Sequence, residues 1–394
     1  MINEKMVNLG KQPSVIRELF EFGKRRKEEI GEENVFDFSL GNPSVPAPLV
    51  VKKELINLLE KEDPTFLHGY TSAMGDEKAR EAIVTYINSK YHCKEKKELV
   101  YMTCGAAASL TIALKALCNQ DDEVIVFAPF FPEYRIFIEN SGGKIVVCGF
   151  DKNTFEPDMI ELEKLINEKT KLLIINSPNN PSGVIYSKEC IEKIASLLRS
   201  KQKEYNKEIY LLADEPYREL VYNQEEVPYI TKYYDNSLVA YSFSKSLSLP
   251  GERIGYLLVG NKCFQSNSVF YAICGAARSL GYVCAPSLFQ HLIPSVIGKT
   301  SNIDDYKENL KELSSLLEEI GYEVVHPQGA FYLFVKALEE DDNEFSKRAR
   351  EFNLLLVPST SFGVKGYVRI AYCVSLKQIK NSYNAFKELY MSYL

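Results

Sequence analysis

Short apolar runs alternate with amphipathic stretches through most of the chain. Glu123-Val124-Ile125-Val126-Phe127, Lys144–Cys148, Leu172-Leu173-Ile174-Ile175-Asn176, Ile209–Ala213 and a run through Leu238-Val239-Ala240 to Ser242 are each strand-length and apolar. Leu99-Val100-Tyr101-Met102 is a further run of this kind. Between and before them, Leu49–Lys61, Asp76–Ser89, Glu133–Ser141 and Ile191–Lys203 carry helical spacing. Buried strands alternating with helices predict a mainly parallel, doubly wound α/β sheet.

The texture changes after about residue 290. Ile303–Ile320 is a long amphipathic helix, and Tyr322–Val325 and Ala330–Val335 read as strands around His326-Pro327-Gln328-Gly329. Glu344–Phe352 is helical, Leu354–Val357 and Tyr367–Tyr372 are strands, and Leu376–Tyr393 is a closing helix. That order predicts a smaller α+β domain. Residues 1–35 are polar, with a helix expected at Val15–Ile30, and could join it. Gly41 to Pro48 is too rich in turn residues for regular structure; it is either a linker or a loop crossing a pocket, with Gly41 allowing close backbone approach. At 394 residues the chain exceeds one compact core. The expected division is a large domain over 46–290 and a small one from 1–45 and 291–394.

Polar and aromatic motifs gather where the strands end. Phe131 follows one strand, Asn180 another, Asp214 a third and Lys245 a fourth. In open α/β sheets ligands bind outside the carboxyl ends of strands. Lys245 lies among Ser242, Ser244 and Ser246, with Arg253 eight residues on. A buried ammonium needs partners or loses its proton, and a lysine so depressed can form a Schiff base with an aldehyde. The hydroxyls and the arginine suit a phosphate. Gly105-Ala106-Ala107 opens a helix after a strand, and such a turn presents free N–H groups to an anion. An aldehyde with a phosphate is pyridoxal phosphate (PLP). Each motif also has a plainer reading: solvated loop for the Ser/Lys stretch, helix packing for the alanines, a turn before proline for Asn180, a helix N-cap for Asp214.

Composition narrows the classes. A formal net charge of −6 with both signs spread along the chain offers no basic face for nucleic acid. Nine scattered cysteines without a C-x-x-C pair, and only four histidines, argue against a zinc site or a disulfide framework and for reduced thiols in a cytosol. No apolar run approaches membrane-spanning length, and the first residues lack a signal-peptide pattern. No metal, nucleic-acid partner or membrane is expected.

Taken together, the motifs resemble the class I/II aminotransferases, the fold-type I PLP enzymes, over essentially the whole chain. Ser242-Phe243-Ser244-Lys245 with Arg253 resembles the family's PLP-lysine motif, Asn180-Pro181-Ser182-Gly183 its Asn-Pro-x-Gly loop, Asp214-Glu215-Pro216-Tyr217 its Asp-x-x-Tyr motif, and Arg369 its C-terminal carboxylate-binding arginine. The resemblance implies the PLP-dependent transferase fold, with a mainly parallel seven-stranded-type sheet in the large domain. It implies an aldimine between PLP and Lys245, Asp214 at the pyridine nitrogen, and Tyr217 and Asn180 at the phenolic oxygen. The phosphate would lie on Gly105, Ala106, Ala107, Ser242, Ser244 and Arg253. Phe131 would stack on the ring, with Tyr134 the alternative. Arg369, with Asn180 and the Gly41 backbone, would hold the substrate carboxylate. Tyr70 matches a tyrosine that reaches the neighbouring subunit's phosphate, implying a homodimer with shared sites. Two positions depart from the pattern: Asn42-Pro43-Ser44 follows Gly41 directly, and Ala106 and Ala107 replace common hydroxyls.

The function so implied is ping-pong transfer of an amino group between an L-amino acid and a 2-oxo acid, in cytoplasmic amino acid metabolism. A carbon–sulfur lyase on the same fold would share the cofactor residues. A PLP-binding regulator would need a DNA-binding module, for which the region matching from near Met1 is expected to leave no room. Arg278 lies at a suitable distance beyond Lys245 to meet a second substrate carboxylate, but a surface or interface arginine is the favoured reading.

Overall fold

The computed structural model describes residues 2–11, 14–222 and 226–394. Its centre is a seven-stranded sheet of β1 (Val100–Thr103), β2 (Glu123–Phe127), β3 (Lys144–Cys148), β4 (Thr170–Asn176), β5 (Tyr210–Asp214), β6 (Ser237–Ser242) and β7 (Gly255–Val259). The order across the sheet is β1-β7-β6-β5-β4-β2-β3. Neighbours are parallel except at β7, which runs antiparallel to both β1 and β6. The sheet is therefore mainly parallel and wound on both faces. The strand β7 follows the Lys245–Arg253 stretch directly and was not expected from the sequence pattern.

These strands are apolar at nearly every position because both faces are covered. Val124, Val126, Ile174, Leu212 and Leu238 point to one face, under the helices Ala106–Leu117 and Ser266–Leu280. Ile125, Leu173, Leu211 and Val239 point to the other, in a core shared with the helices Glu77–Tyr91, Lys188–Tyr205 and Ser287–Val296. Burying each such side chain contributes about 1.5–3 kcal/mol, so the sheet is anchored on both faces.

A second core gathers Phe331, Leu333, Val335, Val368, Ile370, Leu313 and Leu317. It is built on a four-stranded antiparallel sheet in which Tyr332–Lys336 lies between Val324–Val325 and Tyr367–Ala371, with Val357–Pro358 at the edge. Two expectations are corrected here. Leu354–Val357 is not one strand: Leu354–Leu355 pairs in parallel with Phe36–Asp37, and Val357–Pro358 joins the other sheet. The closing helix is two helices, Leu376–Asn381 and Tyr383–Met391. The break is at Ser382, whose Oγ donates to the Ile379 carbonyl at 2.7 Å, a back-bond that competes with the helix ladder. Among the described residues no helix is long and apolar enough to cross a membrane.

Candidate active site

The carboxyl ends of β4, β5 and β6 open into a cavity of about 290 Å³. One end suits an anion. The chain leaves β6 at Ser242, whose Oγ accepts from the Ser244 N–H at 3.2 Å and pairs with Ser244 Oγ at 2.7 Å, starting the short helix Phe243–Ser246. Arg253 Nη1 donates to the Pro250 carbonyl at 3.0 Å and reaches Ser244 Oγ at 3.5 Å, while Nη2 donates to the Cys104 carbonyl at 3.1 Å. Gly105, at φ +89°, starts the helix Ala106–Leu117, and no side chain caps that end. A Cβ on Gly105 would lie 2.9 Å from Arg253 Nη2, so the turn requires glycine twice over, for its φ and for the guanidinium beside it. Two hydroxyls, a guanidinium and an uncapped helix N-terminus thus face one space.

At the other end Asp214 closes β5. Its Oδ2 accepts from the Tyr134 hydroxyl at 2.6 Å, and its Oδ1 is buried without a partner among the described residues. Burial pushes the Asp214 carboxyl up to about 7; the Tyr134 hydrogen bond opposes this and Glu215 adds to it. Asn176 donates to the Asp214 carbonyl at 2.8 Å and accepts from the Asn180 N–H at 2.7 Å, tying adjacent strand ends together. No helix begins at Asp214, which removes the N-cap reading.

Lys245 stands between these ends. Its Nζ donates to the Gly41 carbonyl at 2.7 Å and lies 5.4 Å over the Phe331 ring. Burial, with help from Arg369 and Arg253, lowers its amine to about 8. The Gly41 segment therefore crosses the cavity rather than serving as a plain linker, and a Cβ there would sit 1.9 Å from the Tyr332 hydroxyl. Arg369 is buried; Nη1 donates to Asn180 Oδ1 at 3.0 Å, Nη2 to the Ser39 carbonyl, and Nε has no partner among the described residues. Tyr217 shares a hydroxyl–hydroxyl hydrogen bond of 2.9 Å with Tyr332.

The structure brings Gly41, Ala106, Ala107, Phe131, Asn180, Asp214, Tyr217, Ser242, Ser244, Lys245, Arg253 and Arg369 to the wall of this cavity, with Gly105 directly behind Arg253. Tyr70 is not on the wall and is 97% exposed. Arg278 is exposed on the helix Ser266–Leu280 and also lies outside the wall. Tyr134 does not line the cavity either: it is buried edge-on to Phe131, with ring centroids 5.7 Å apart, and its hydroxyl is committed to Asp214. Sequence reasoning missed this bond, and it missed Asn176 and Tyr332. Asn176 had a signal, since a polar residue closing an apolar strand is buried and must find partners. Tyr332 had none, being one aromatic residue in a buried strand.

A family model described as aminotransferase class I and II matches residues 33–386. An aminotransferase of known structure from Eubacterium rectale is 50% identical, with a TM-score of 0.98 over 100% of this chain and 99% of that one. An aspartate aminotransferase from Thermotoga maritima is 30% identical over 90% of this chain and 91% of its own length. A (5-formylfuran-3-yl)methyl phosphate transaminase from Methanocaldococcus jannaschii is also 30% identical, over 92% of this chain and 93% of its own.

Proposed function

We propose that this chain, which belongs to the class I and II aminotransferases and is a PLP-dependent enzyme, transfers amino groups with Lys245, Asp214 and Arg369 as its working side chains. The observation that carries this reading is that all three line one cavity, each poised for a further partner. The Lys245 amine is lowered to about 8, and Asp214 Oδ1 and Arg369 Nε are buried and unpartnered.

The residues present fit the cofactor. Ser242, Ser244, Arg253 and the N–H groups opening the helix Ala106–Leu117 would hold its phosphate, and Asp214 its ring nitrogen. Phe131 would cover a ring face, and Tyr217 and Asn180 would meet the phenolic oxygen. When bound, pyridoxal phosphate supplies an electron sink for the charge left on the substrate as a proton departs. The chain's own residues do the rest. Arg369 grips the substrate α-carboxylate with its planar fork, which Asn180 holds in place. Lys245 would take the proton from the substrate α-carbon and deliver it to the former aldehyde carbon of the cofactor rather than back to the substrate. Burial, the main cause, lowers the amine to about 8, so its neutral form is far more accessible near neutral pH than that of an unperturbed lysine. An amino acid and a 2-oxo acid both carry an α-carboxylate, so one Arg369 serves both halves of a ping-pong cycle. The loaded protein's absorption band should shift when a single amino acid is added, with one equivalent of 2-oxo acid released. Release of pyruvate and ammonia from cysteine, with the band unmoved, would make it a lyase.

Arg369→Lys should raise KM for the amino acid roughly 10- to 150-fold, with a smaller change in kcat. It loses at least one charge-assisted hydrogen bond of about 1.5–3 kcal/mol and the fork geometry. Steady-state kinetics check this; an unchanged KM would take the carboxylate away from Arg369.

The assembly proposed is a homodimer whose sites are shared. Tyr70 is almost wholly exposed, Leu49 and Tyr271 are about three-quarters exposed, and Leu59 and Phe66 are about half exposed. Tyr70→Phe should weaken cofactor binding about tenfold in a dimer, the loss of one hydrogen bond to a charged group. Sedimentation with a cofactor titration tests this, and a fully active monomer would contradict it. The nine unpaired cysteines support placing the enzyme in a reducing compartment, the cytosol. We propose two domains close to those expected, 46–290 and 1–45 with 291–394, with the boundary moved beyond Val296 because Leu292, Ile293 and Val296 pack in the core of the large sheet.

A further inference from the structure

We infer that Tyr332 is a positioning residue for this reaction: its hydroxyl donates to Tyr217 while its ring supports the guanidinium of Arg369, so one side chain aligns the cofactor-facing phenol and the carboxylate-binding group. The inference rests on the reading above that Tyr217 meets the cofactor's phenolic oxygen.

The geometry is specific. The two hydroxyls are 2.9 Å apart, and the rings meet nearly edge to face at 5.6 Å. Either oxygen could be the donor on distance alone. Tyr217 has one proton, and on the proposed reading it goes to the cofactor. Tyr332 must then be the donor between the two. A hydroxyl that accepts one hydrogen bond becomes a better donor of its own. Tyr332 therefore strengthens Tyr217.

The same residue reaches Arg369. Tyr332 pairs with Ala371 across the antiparallel ladder and Phe334 with Arg369, so Tyr332 and Arg369 are diagonal neighbours on one face. The Arg369 guanidinium carbon lies 4.5 Å from the Tyr332 ring centroid, within cation–π range. The hydroxyl is enclosed by Gly41, where no Cβ fits and whose carbonyl takes Lys245 Nζ. Tyr332 thus touches the neighbourhood of three working groups while it is 3% exposed.

Tyr332→Phe keeps the ring and removes the donor. A weaker Tyr217 leaves more charge on the phenolic oxygen, and that charge holds the neighbouring proton to higher pH. The midpoint of the pH-dependent absorption change of the lysine-bound cofactor should rise by roughly half to one pH unit, the size of one net hydrogen bond. KM for the amino acid should stay within about twofold, because the cation–π support remains. Tyr332→Leu removes the ring as well and should raise KM about tenfold. In a Tyr217→Phe background, Tyr332→Phe should move the midpoint no further. Cofactor content and thermal unfolding identify any variant that fails to fold, and the Phe variant alone is a sufficient test. A midpoint that moves in Tyr217→Phe but not in Tyr332→Phe overturns the inference and leaves the function standing. Equal shifts from Tyr332→Phe in both backgrounds also overturn it, since they would reflect packing alone. A midpoint that ignores Tyr217→Phe overturns both the inference and the role given to Tyr217.

Discussion

Lys245→Ala should abolish turnover, with a fall of at least about 10⁴-fold, the upper range for losing a positioned acid–base group, before counting the lost covalent attachment. The environment of this amine is built for proton transfer. Burial and two nearby guanidiniums favour the neutral form, and the Gly41 carbonyl at 2.7 Å holds the nitrogen at the cavity wall. A methyl group can neither take a proton nor bond an aldehyde. Stopped-flow absorbance on the reconstituted variant, with an amino acid that the wild type accepts, makes the measurement. The characteristic band of the lysine-bound cofactor should be missing at the outset, and single turnovers should be too slow to follow. Activity within tenfold of wild type would mean that another residue carries the proton.

Asp214→Asn should lower kcat/KM by roughly 10²–10³, the cost of removing a fixed charge from where charge develops in a desolvated site. Asparagine is isosteric and can still accept from Tyr134, so the strand end should survive. What disappears is the negative charge proposed to face the ring nitrogen. The sign of the pH effect follows from burial, which raises the carboxyl to about 7 in the bare chain. Below that pH the bare carboxyl already holds a proton, which a cationic partner must displace. The wild type's advantage in cofactor affinity over Asp214→Asn should therefore shrink as the pH falls below about 7. Cofactor titrations of both proteins at several pH values test this. A constant ratio would separate Asp214 from the ring nitrogen, and a near-normal rate for the variant would remove its assigned role.

Much of the framework was legible because strand burial leaves a local trace. Glu123–Phe127 and Lys144–Cys148 could be bounded from their apolar runs, and Val15–Ile30 and Ile303–Ile320 from their period. The spacing of Lys245 and Arg253 was equally local, since a short helix and one turn join them. The strand Gly255–Val259 was overlooked because it continues directly from that motif, and its antiparallel direction is a property of its neighbours. Ser382 broke the last helix through a side-chain bond that helical periodicity does not register.

The chain by itself determined which chemistry was available and at which strand ends: a lysine among serines, an aspartate, a conformationally free glycine before alanines, an arginine near the C-terminus. Tertiary structure decided what those groups became. Asp214 meets Tyr134 across 80 residues, Arg369 meets Asn180 across 189 and Lys245 meets Gly41 across 204. Tyr332 acquires its place only where two strands and the Gly41 loop converge. The physical reason is that desolvation and short-range hydrogen bonding set the charge of a buried group, and both depend on which distant segments surround it.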